Sequence, residues 1–356
     1  MINNLEQYKS HYKDSIKDPE KYWKNYSSKF LWKKEPSNIL KWNFTEPKVK
    51  WFEDGELNIT ENIFERNKER GDDTAIIWEP NEPNEKNITY TYNQLFEEVC
   101  YFANVLKKLG VEKGDRVIIY LPMIPEAAIS MLACARIGAV HSVVFAGFSA
   151  SSLSDRINDC KANLVITSDG NFRGNKVIPV KDVVDEALES TTTIDHVLTI
   201  KRTSSEVNMK SDRDVWYHEI IKSVDKICEP EKMKSEDLLF ILYTSGSTGK
   251  PKGVVHTCAG YMIYSQFTFE NVFQYEDGDT YWCTADVGWI TGHSYIVYGP
   301  LLRGAKTIMF EGVPTYPDAS RFWEIIDKYK VNQFYTAPTA IRALQSFGNK
   351  FLEGFD

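Results

Sequence analysis

From residue 74 onward, short apolar runs alternate with stretches of helical periodicity, and this alternation limits the fold more than any other feature. Residues 117–121 have the pattern of a buried strand, and residues 125–137 have that of a helix. Pro125 favours the first turn of this helix, and Gly138 favours its end. Apolar strands separated by helices indicate a parallel sheet that is covered on both faces. The chain is therefore predicted to have an α/β fold with parallel-sheet layers covered by helices.

The same alternation continues through the rest of the chain. Further helices are predicted over residues 149–160, 180–188, 259–273, 294–302, 319–329 and 340–347, and further strands over residues 140–145, 164–167, 196–200, 237–243, 280–284, 307–310 and 333–336. A polar stretch near residues 201–214 is expected to separate an earlier block of strands and helices from a later one. The chain stops just after a predicted helix with no closing strand, so we expect a domain that is cut rather than finished.

Residues 1–70 differ from this pattern, because they are rich in Lys, Asn, Trp and Tyr and contain only short helical patches. Trp23, Tyr26 and Phe30 recur at helical spacing with lysines between them. Interleaved basic and aromatic residues occur in nucleic-acid-binding segments, but this spacing is also typical of an amphipathic helix packed on a larger body. The chain has 50 Asp and Glu against 42 Lys and Arg, a net charge of −8. This acidic excess favours the packed helix and argues against a nucleic-acid partner.

Cysteine spacing and the character of the apolar stretches indicate the cellular compartment of the protein. None of the six cysteines is part of a CxxC motif, and the first residues lack the basic and apolar regions of a secretory signal. We therefore expect free thiols in a reducing compartment. The longest apolar stretch, residues 127–148, contains Arg136 and His141, which argues against a membrane span. The expected location is the cytoplasm, with the nucleus as an alternative.

The most informative local motif is YTSGSTGKPKG at residues 243–253, which directly follows a predicted strand. Its glycines permit close approach of the backbone to a ligand, its hydroxyls and backbone amides offer donors, and Lys250 and Lys252 add positive charge. This combination suits a polyphosphate. The motif is not a Walker A loop, because Pro251 follows Lys250 and Thr244 occupies the place of the first Gly. A flexible surface linker is the alternative.

Two other positions are candidates for ligand contact. The sequence DGNFRGNK at residues 169–176 places Arg173 and Lys176 on either side of Gly174, which predicts a small cationic turn. A solvated surface loop is the alternative, because charges on loops are usually solvated. Trp289 follows Gly288, and its large ring is suited either to the core or to closing a pocket.

The 243–253 motif resembles the phosphate-binding signature of the adenylate-forming superfamily, which includes acyl-CoA ligases, luciferases and peptide-synthetase adenylation domains. Three other segments are similar to those of the AMP-forming acetyl-coenzyme A synthetases, namely residues 286–295 (DVGWITGHSY), 310–317 (FEGVPTYP) and 335–342 (YTAPTAIR). Residues 18–23 (DPEKYW) and 50–52 (KWF) resemble the N-terminal extension of that family. The resemblance covers the whole chain.

This resemblance implies an incomplete large N-terminal domain of an adenylate-forming enzyme. Residues 1–70 would be an N-terminal extension packed on the main body, and residues 71–356 would be a partial adenylation (AMP-binding) domain. The small C-terminal domain, which carries the catalytic Lys of the family, would lie beyond the chain. No catalytic residue is therefore assigned, and the 356 residues alone are expected to be inactive.

The resemblance also implies which residues contact the substrates. The ATP phosphates would contact Thr244, Ser245, Gly246, Ser247, Thr248, Gly249, Lys250 and Lys252. Coenzyme A would contact Gly147, Arg173, Gly174, Asn175, Lys176, Thr291 and Thr315. Asn175 stands where Gly is common in the family. Trp289, Ile290 and Thr291 would form the acyl pocket, in which the Trp289 ring restricts the acid to the size of acetate.

The implied activity is the ATP-dependent activation of acetate to acetyl-AMP, followed by transfer to coenzyme A to give acetyl-CoA, AMP and pyrophosphate. ATP, Mg²⁺ and coenzyme A are the implied cofactors, the partners would be small molecules, and no protein-bound metal site is expected. One alternative is a propionyl- or other short-chain acyl-CoA ligase. The other is a non-catalytic fragment that binds a nucleotide or coenzyme A.

Overall fold

The computed structural model describes residues 1–244 and 251–355, whose strands form two large sheets and three two-stranded pairs. The larger sheet has seven strands and the smaller has five, and most neighbouring strands within them are parallel. Helices connect the parallel strands. The predicted α/β fold with helix-covered parallel sheets is confirmed.

The strands of the described residues are numbered in chain order as β1 (Leu40–Asn43), β2 (Lys48–Trp51), β3 (Glu56–Leu57), β4 (Thr74–Glu79), β5 (Ile88–Thr91), β6 (Arg116–Tyr120), β7 (Val140–Val143), β8 (Leu164–Ser168), β9 (Asn171–Arg173), β10 (Lys176–Ile178), β11 (His196–Ile200), β12 (Asp214–Trp216), β13 (Met233–Lys234), β14 (Leu238–Thr244), β15 (Lys252–Thr257), β16 (Thr280–Cys283), β17 (Lys306–Phe310) and β18 (Gln333–Tyr335).

The α-helices are α1 (Leu5–Lys17), α2 (Pro19–Ser27), α3 (Ile59–Ile63), α4 (Tyr92–Lys108), α5 (Pro125–Ile137), α6 (Ala150–Cys160), α7 (Val180–Leu188), α8 (Tyr217–Ile220), α9 (Cys258–Val272), α10 (Ile290–Gly292), α11 (Gly299–Arg303), α12 (Arg321–Tyr329) and α13 (Pro338–Gln345). A π-helical segment, His293–Tyr298, joins α10 to α11. Short 3₁₀ turns occur at Lys68–Arg70, Ile221–Ser223 and Asn349–Phe351.

The larger sheet has the strand order β12–β11–β8–β6–β7–β14–β15. Its strands are parallel except for the β14–β15 hairpin, which is antiparallel. In the middle of the sheet, Val117 of β6 lies opposite both His141 of β7 and Leu164 of β8. Because β14 pairs with β7, this sheet contains strands from both sides of the polar stretch at residues 201–214.

The smaller sheet has the order β18–β16–β17–β4–β5, in which only β4 and β5 are antiparallel. It pairs β17 with β4, and these strands also lie on opposite sides of the polar stretch. The prediction that residues 201–214 separate an earlier block from a later one is therefore wrong. Sheets are completed by long-range pairing, which a reading along the chain does not reveal.

Alternate side chains of β6 belong to different cores. Val117 and Ile119 pack in the core that also contains residues of α4, α5, α9 and the smaller sheet, whereas Ile118 and Tyr120 pack with α6 and α7. A third core, around Trp282, lies between the smaller sheet and helices α12 and α13. The molecule therefore has five layers, with a helical layer between the two sheets and another outside each sheet.

Local sequence signals set the ends of the helices between the strands. Pro125 occupies the first turn of α5, and Gly138 ends that helix with a φ of 73°, in the left-handed region that glycine adopts without strain. Ser149 caps α6, because its side chain accepts a hydrogen bond from the backbone N–H of Ser152. The end of α5 and the start of α6 therefore delimit the segment that contains β7 and the loop after it.

The first 70 residues pack against the rest of the chain. Trp23 and Tyr26 of α2 contact the ring of Phe267 in α9, with ring centroids 5.1 and 5.0 Å apart. The Tyr26 hydroxyl also donates to the Glu270 carboxylate at 2.8 Å. The aromatic residues of this segment thus lie on the body of the protein, as the amphipathic-helix interpretation predicts.

All six cysteines lie in the described residues, where they are buried and form no disulfides. This agrees with the expectation of free thiols. Among the described residues, no helix has both the length and the apolar character needed to span a bilayer.

Candidate active site

The carboxyl ends of parallel strands from both sheets meet around a cavity of about 200 Å³. Its walls include Met123 after β6, Phe145 after β7, Arg173 of β9, Asp286 after β16 and Glu311 after β17. In open α/β sheets, ligands bind in the crevice outside the carboxyl ends of the strands. This cavity, which we call the edge cavity, is therefore the centre of the candidate site.

The predicted cationic turn is a β-hairpin beside the edge cavity. Arg173 of β9 lies opposite Lys176 of β10, and both side chains are exposed. Gly174, between them, has a φ of 60°, which explains the need for glycine at this position of the turn. Asn175 is exposed at the tip. The hairpin therefore presents two cations to solvent on a defined backbone.

Buried polar groups lie beneath this hairpin. The Asn81 side-chain Oδ1 accepts from the Gly174 backbone N–H at 2.8 Å, and its Nδ2 donates to the Gly174 carbonyl at 2.9 Å. The Asn81 backbone N–H donates to the Glu311 carboxylate at 3.3 Å, and Glu311 forms an ion pair with Arg202 at 2.6 Å. Sequence analysis did not identify these residues, because nothing in their spacing links them to the turn.

Burial shifts the pKa of Glu311. The side chain is buried at the wall of the cavity, and this burial raises the pKa of its carboxyl above the ordinary value. The guanidinium of Arg202 opposes that shift through hydrogen bonds and its charge, and it also forms two hydrogen bonds with Glu85 at 2.9 and 2.8 Å. The site is thus built on a buried acid held by a forked cation.

The loop after β7 forms one wall of the site. The Arg173 guanidinium lies 5.7 Å from the centre of the Phe145 ring, a distance suited to a cation–π contact. Gly147, two residues further on, is exposed. The structure therefore brings Gly147, Arg173, Gly174, Asn175 and Lys176, all predicted coenzyme A contacts, to one side of the edge cavity.

Thr315, the remaining predicted contact in this region, is half-buried beside Tyr316. The Tyr316 ring lies next to Gly174, where an added Cβ would be 3.7 Å from the ring. The Tyr316 hydroxyl donates to the Glu82 carboxylate at 2.7 Å. This contact brings the loop that carries Thr315 against the hairpin, so Thr315 belongs to the same neighbourhood.

Asp286 is an acid that sequence analysis did not single out. Its Oδ1 accepts from the Gly288 backbone N–H at 2.7 Å. Burial raises the pKa of the Asp286 carboxyl to about 6, although the Gly288 N–H and the positive charge of Arg173 oppose the shift. An acid and a cation with opposite charges thus share the wall of the edge cavity.

The three residues predicted to form the acyl pocket lie at the start of α10. Trp289 precedes the helix in extended backbone, with a φ of −117° and a ψ of 155°. The Trp289 ring lies 6.1 Å from the ring of Phe148, near the edge cavity. Ile290 instead lines a second, more apolar cavity of about 540 Å³ between α2, α9 and β15. Thr291 is half-buried in α10.

Gly288 explains why this segment can approach the loop after β7. A Cβ at that position would lie 2.9 Å from the backbone nitrogen of Phe145, which is too close for any side chain. Glycine therefore permits the contact that brings Trp289 beside Phe145 and Phe148.

Two of the predicted ATP contacts lie in the described residues. Thr244 is the last residue of β14 and Lys252 is the first of β15, and both are exposed at the carboxyl end of β14. The other predicted ATP contacts, Ser245, Gly246, Ser247, Thr248, Gly249 and Lys250, lie outside the described residues. Across residues 1–244 and 251–355, no group of His, Cys, Asp and Glu side chains is arranged to hold a metal ion.

Two family models match the sequence. The family model for AMP-binding enzymes matches residues 63–354, and the family model for the acetyl-coenzyme A synthetase N-terminus matches residues 8–63. Together these matches cover most of the chain and meet at residue 63, in the last turn of α3.

Curated relatives share more than half of the residues. The chain is 56% identical over 356 residues to the acetyl-coenzyme A synthetase of Mesorhizobium japonicum, a match that covers 98% of this chain and 54% of that protein. It is also 56% identical over 355 residues to the acetyl-coenzyme A synthetase of Alcanivorax borkumensis, with 99% and 55% coverage. The chain thus spans about half the length of the curated relatives it matches.

A solved structure has the same fold. The acetoacetyl-CoA synthetase from Streptomyces lividans superposes with a TM-score of 0.88 at 25% sequence identity, over 97% of this chain and 52% of that one. The fold of this chain is therefore shared with about half of a solved acetoacetyl-CoA synthetase.

Proposed function

The chain belongs to the AMP-binding enzyme family, and from that premise we propose that it supplies the substrate-binding half of an acetate–CoA ligase. In this reaction a carboxylate oxygen of acetate attacks the α-phosphorus of ATP, which gives acetyl-AMP and releases pyrophosphate. The thiol of coenzyme A then attacks the acetyl carbonyl carbon and displaces AMP. The products are acetyl-CoA, AMP and pyrophosphate.

One observation carries this proposal, namely that both candidate anion-binding elements lie at the carboxyl ends of strands in the larger sheet. The hairpin with Arg173 and Lys176 follows β8, and Thr244 and Lys252 flank the carboxyl end of β14. Two separate cationic elements on one edge suit a reaction with two phosphate-bearing substrates. A segment that only links secondary-structure elements would not require either cationic element.

Each set of residues has a proposed role. Thr244 and Lys252, with the residues between them, would bind the β- and γ-phosphates of ATP, and Mg²⁺ bound with the nucleotide would offset the phosphate charge. Arg173 and Lys176 would bind the phosphorylated ribose of coenzyme A, and the backbone at Gly147 would support its adenine. These groups act by positioning and by charge stabilisation.

The acyl and thiol ends would meet at the segment that begins α10. Trp289 would close the pocket at the size of acetate, and Thr291 would lie where the acyl group and the thiol approach each other. Thr315 would contact coenzyme A from the opposite loop. A ring that fills the space needed by a longer chain selects a small acid, because a larger one would displace it or clash.

A short-chain acyl-CoA ligase with a preference for propionate is the second candidate. The observation that favours it is the cavity of about 540 Å³ lined by Ile290, the neighbour of Trp289. An acid longer than acetate would extend into this apolar space if the pocket opened toward Ile290 rather than toward Trp289. The order of acid preference distinguishes the two candidates.

The experiment uses a completed enzyme, in which residues 1–356 are joined to the part of the Mesorhizobium japonicum protein that lies beyond the match. It is assayed with ATP, Mg²⁺ and coenzyme A and with acetate, propionate or butyrate in turn. We expect AMP and acyl-CoA to form fastest with acetate. The Mesorhizobium japonicum enzyme serves as the matched control.

Three outcomes are informative. A preference for propionate would favour the second candidate. A folded completed enzyme that forms AMP with none of the acids would contradict both. Product formation that survives the Arg173→Ala/Lys176→Ala double variant with an unchanged KM for coenzyme A would contradict the role of the hairpin.

A further inference from the structure

The side chain of Asn81 closes a ring of two hydrogen bonds on a single residue of the cationic turn. Its Oδ1 accepts from the Gly174 N–H at 2.8 Å and its Nδ2 donates to the Gly174 carbonyl at 2.9 Å. Asn81 is fully buried and Gly174 is buried. Two bonds from one planar amide fix both the position and the orientation of that peptide unit.

The turn needs such support from outside. Its two strands, β9 and β10, have three residues each, and among the strands that the structure describes they pair only with each other. A two-stranded hairpin of this length is marginally stable in water. Arg173, Asn175 and Lys176 are exposed, so the hairpin tip has little packing of its own. The hydrogen bonds to Asn81 therefore hold the turn in one conformation, which the hairpin alone would not maintain.

Asn81 is itself held by the sheet and by buried charges. It lies two residues after β4, and its backbone N–H donates to Glu311 at 3.3 Å. Arg202 pairs with Glu311 at 2.6 Å, and its guanidinium also lies 4.6 Å from the centre of the Phe172 ring in β9. One partly buried cation thus contacts both the anchor of Asn81 and the strand that carries Arg173.

We propose that Asn81 is a positioning residue that holds Arg173 and Lys176 in the geometry that binds the phosphorylated ribose of coenzyme A. This inference rests on the proposed function, because it assigns the hairpin to coenzyme A. In this proposal Asn81 touches no substrate and acts by fixing the Gly174 peptide. A pair of cations held in advance binds a phosphate better than a mobile pair, because less freedom is lost on binding.

The predicted effect is specific to the phosphate on the ribose. Coenzyme A carries a 3′-phosphate that dephospho-CoA lacks, so the ratio of their dissociation constants reports on the hairpin alone. We expect the 356-residue chain to bind coenzyme A about tenfold or more tightly than dephospho-CoA. Asn81→Ala should bring this ratio close to one while leaving the dissociation constant for dephospho-CoA nearly unchanged.

The matched control is Asn104→Ala. Asn104 also anchors a loop through two hydrogen bonds, donating to the Asp225 and Ile227 carbonyls at 2.7 and 2.8 Å, but these residues do not line the edge cavity. A general loss of stability would affect both variants, whereas loss of the coenzyme A preference should occur only in Asn81→Ala. Asn81→Leu, which keeps most of the volume, replaces Asn81→Ala if the latter does not fold.

Calorimetric titration with coenzyme A and dephospho-CoA, together with hydrogen exchange at residues 171–178 without ligand, tests the proposal. The proposal is supported if, in the Asn81 variant, the preference for coenzyme A over dephospho-CoA falls and the backbone amides of the hairpin exchange faster. If the parent chain prefers coenzyme A and the variant keeps that preference, Asn81 has no positioning role and the proposed function stands. If the parent chain shows no preference, the assignment of the hairpin to coenzyme A fails and this inference fails with it.

Discussion

Thr244 and Lys252 lie opposite each other as the last pair of the antiparallel β14–β15 ladder. The ladder continues through Tyr243 and Gly253 to Leu242 and Val254, so both ends of the segment between Thr244 and Lys252 are fixed to the larger sheet. This pairing is the structural basis of the proposed ATP contact.

Replacing Thr244 and Lys252 by Ala in the completed enzyme should slow formation of the adenylate. Each lost charge-assisted hydrogen bond costs about 1.5–3 kcal/mol, so acetate-dependent pyrophosphate exchange should fall at least about tenfold. The control is Thr45→Ala/Lys48→Ala, which alters a similar pair at the exposed β1–β2 turn. Equal exchange rates in the two double variants would show that Thr244 and Lys252 do not bind ATP.

Trp289→Gly should weaken the use of acetate and admit longer acids. The ring lies against Phe148 and is half exposed, so its removal opens space at the edge cavity. Each added methylene that finds room contributes about 1–3 kcal/mol to selectivity. The kcat/KM for butyrate relative to that for acetate should therefore rise by about tenfold or more. The ratio of kcat/KM values for the two acids measures this change.

Trp42→Gly is the control for removing a tryptophan, because Trp42 is exposed on the distant strand β1. It should leave the ranking of acids unchanged. If Trp289→Gly also keeps the parent ranking of acetate over butyrate, the Trp289 ring serves packing and not selection.

Much of the fold was predictable because its helix ends depend on neighbouring residues. Pro125 and Gly138 delimit α5, and Ser149 caps α6, through contacts within a few residues of each other. Strand order was not predictable in this way. The pairing of β14 with β7 joins residues about a hundred positions apart, such as Phe240 and His141, and no local pattern specifies it.

The same distinction applies to the site. The sequence indicated a cationic turn at Arg173 and Lys176, but its anchor Asn81 is 93 residues from Gly174, and Glu311 is 230 residues from Asn81. Trp289 and Ile290 are neighbours in the predicted acyl pocket, yet the Trp289 ring lies beside Phe148 whereas Ile290 lines the cavity of about 540 Å³. Hydrogen-bond networks between residues far apart in the chain leave no periodic pattern in the sequence, so the structure was needed to find them.

Asn58→Ala should strongly destabilise the fold. Asn58 is fully buried, and its Nδ2 donates to the carbonyls of Ala135, Arg136 and Glu231 at 3.2, 3.1 and 2.8 Å. Its Oδ1 caps α3 by accepting from the Thr60 N–H at 2.9 Å. Leaving these buried groups unpaired should lower the free energy of unfolding by about 2–4 kcal/mol, measured by urea denaturation.

Asn43→Ala is the matched control, because Asn43 accepts one hydrogen bond from the Thr45 N–H at 2.9 Å in an exposed turn. Its loss should cost about 1 kcal/mol or less. Similar costs for the two variants would mean that residues 1–70 are not integrated into the main body through Asn58.

The Asp286 carboxyl should make stability depend on pH. Its pKa is raised from the ordinary 3.8 to about 6 by burial, so the folded state holds the proton more tightly than the unfolded state. Stability is therefore lost as pH rises from about 4 through 6 and is then constant. Asp286→Asn removes this loss and should be more stable than the parent by about 2–3 kcal/mol at pH 7, with little difference at pH 4.

Urea denaturation of the parent chain and Asp286→Asn between pH 4 and 8 measures this dependence. Asp212→Asn, at an exposed position, controls for the loss of one negative charge. A difference between parent and Asp286→Asn that does not change between pH 4 and 7 would contradict the raised pKa.

Quantification of acetyl-CoA tests most directly whether these residues form the substrate-binding half of an acetate–CoA ligase. Purified residues 1–356 and the completed enzyme are each incubated with ATP, Mg²⁺, acetate and coenzyme A. The chain spans 54% of the Mesorhizobium japonicum protein, so we expect acetyl-CoA from the completed enzyme and none from the 356 residues alone. Turnover by the 356 residues at the rate of the completed enzyme, or no acetyl-CoA from a folded completed enzyme, would contradict the claim.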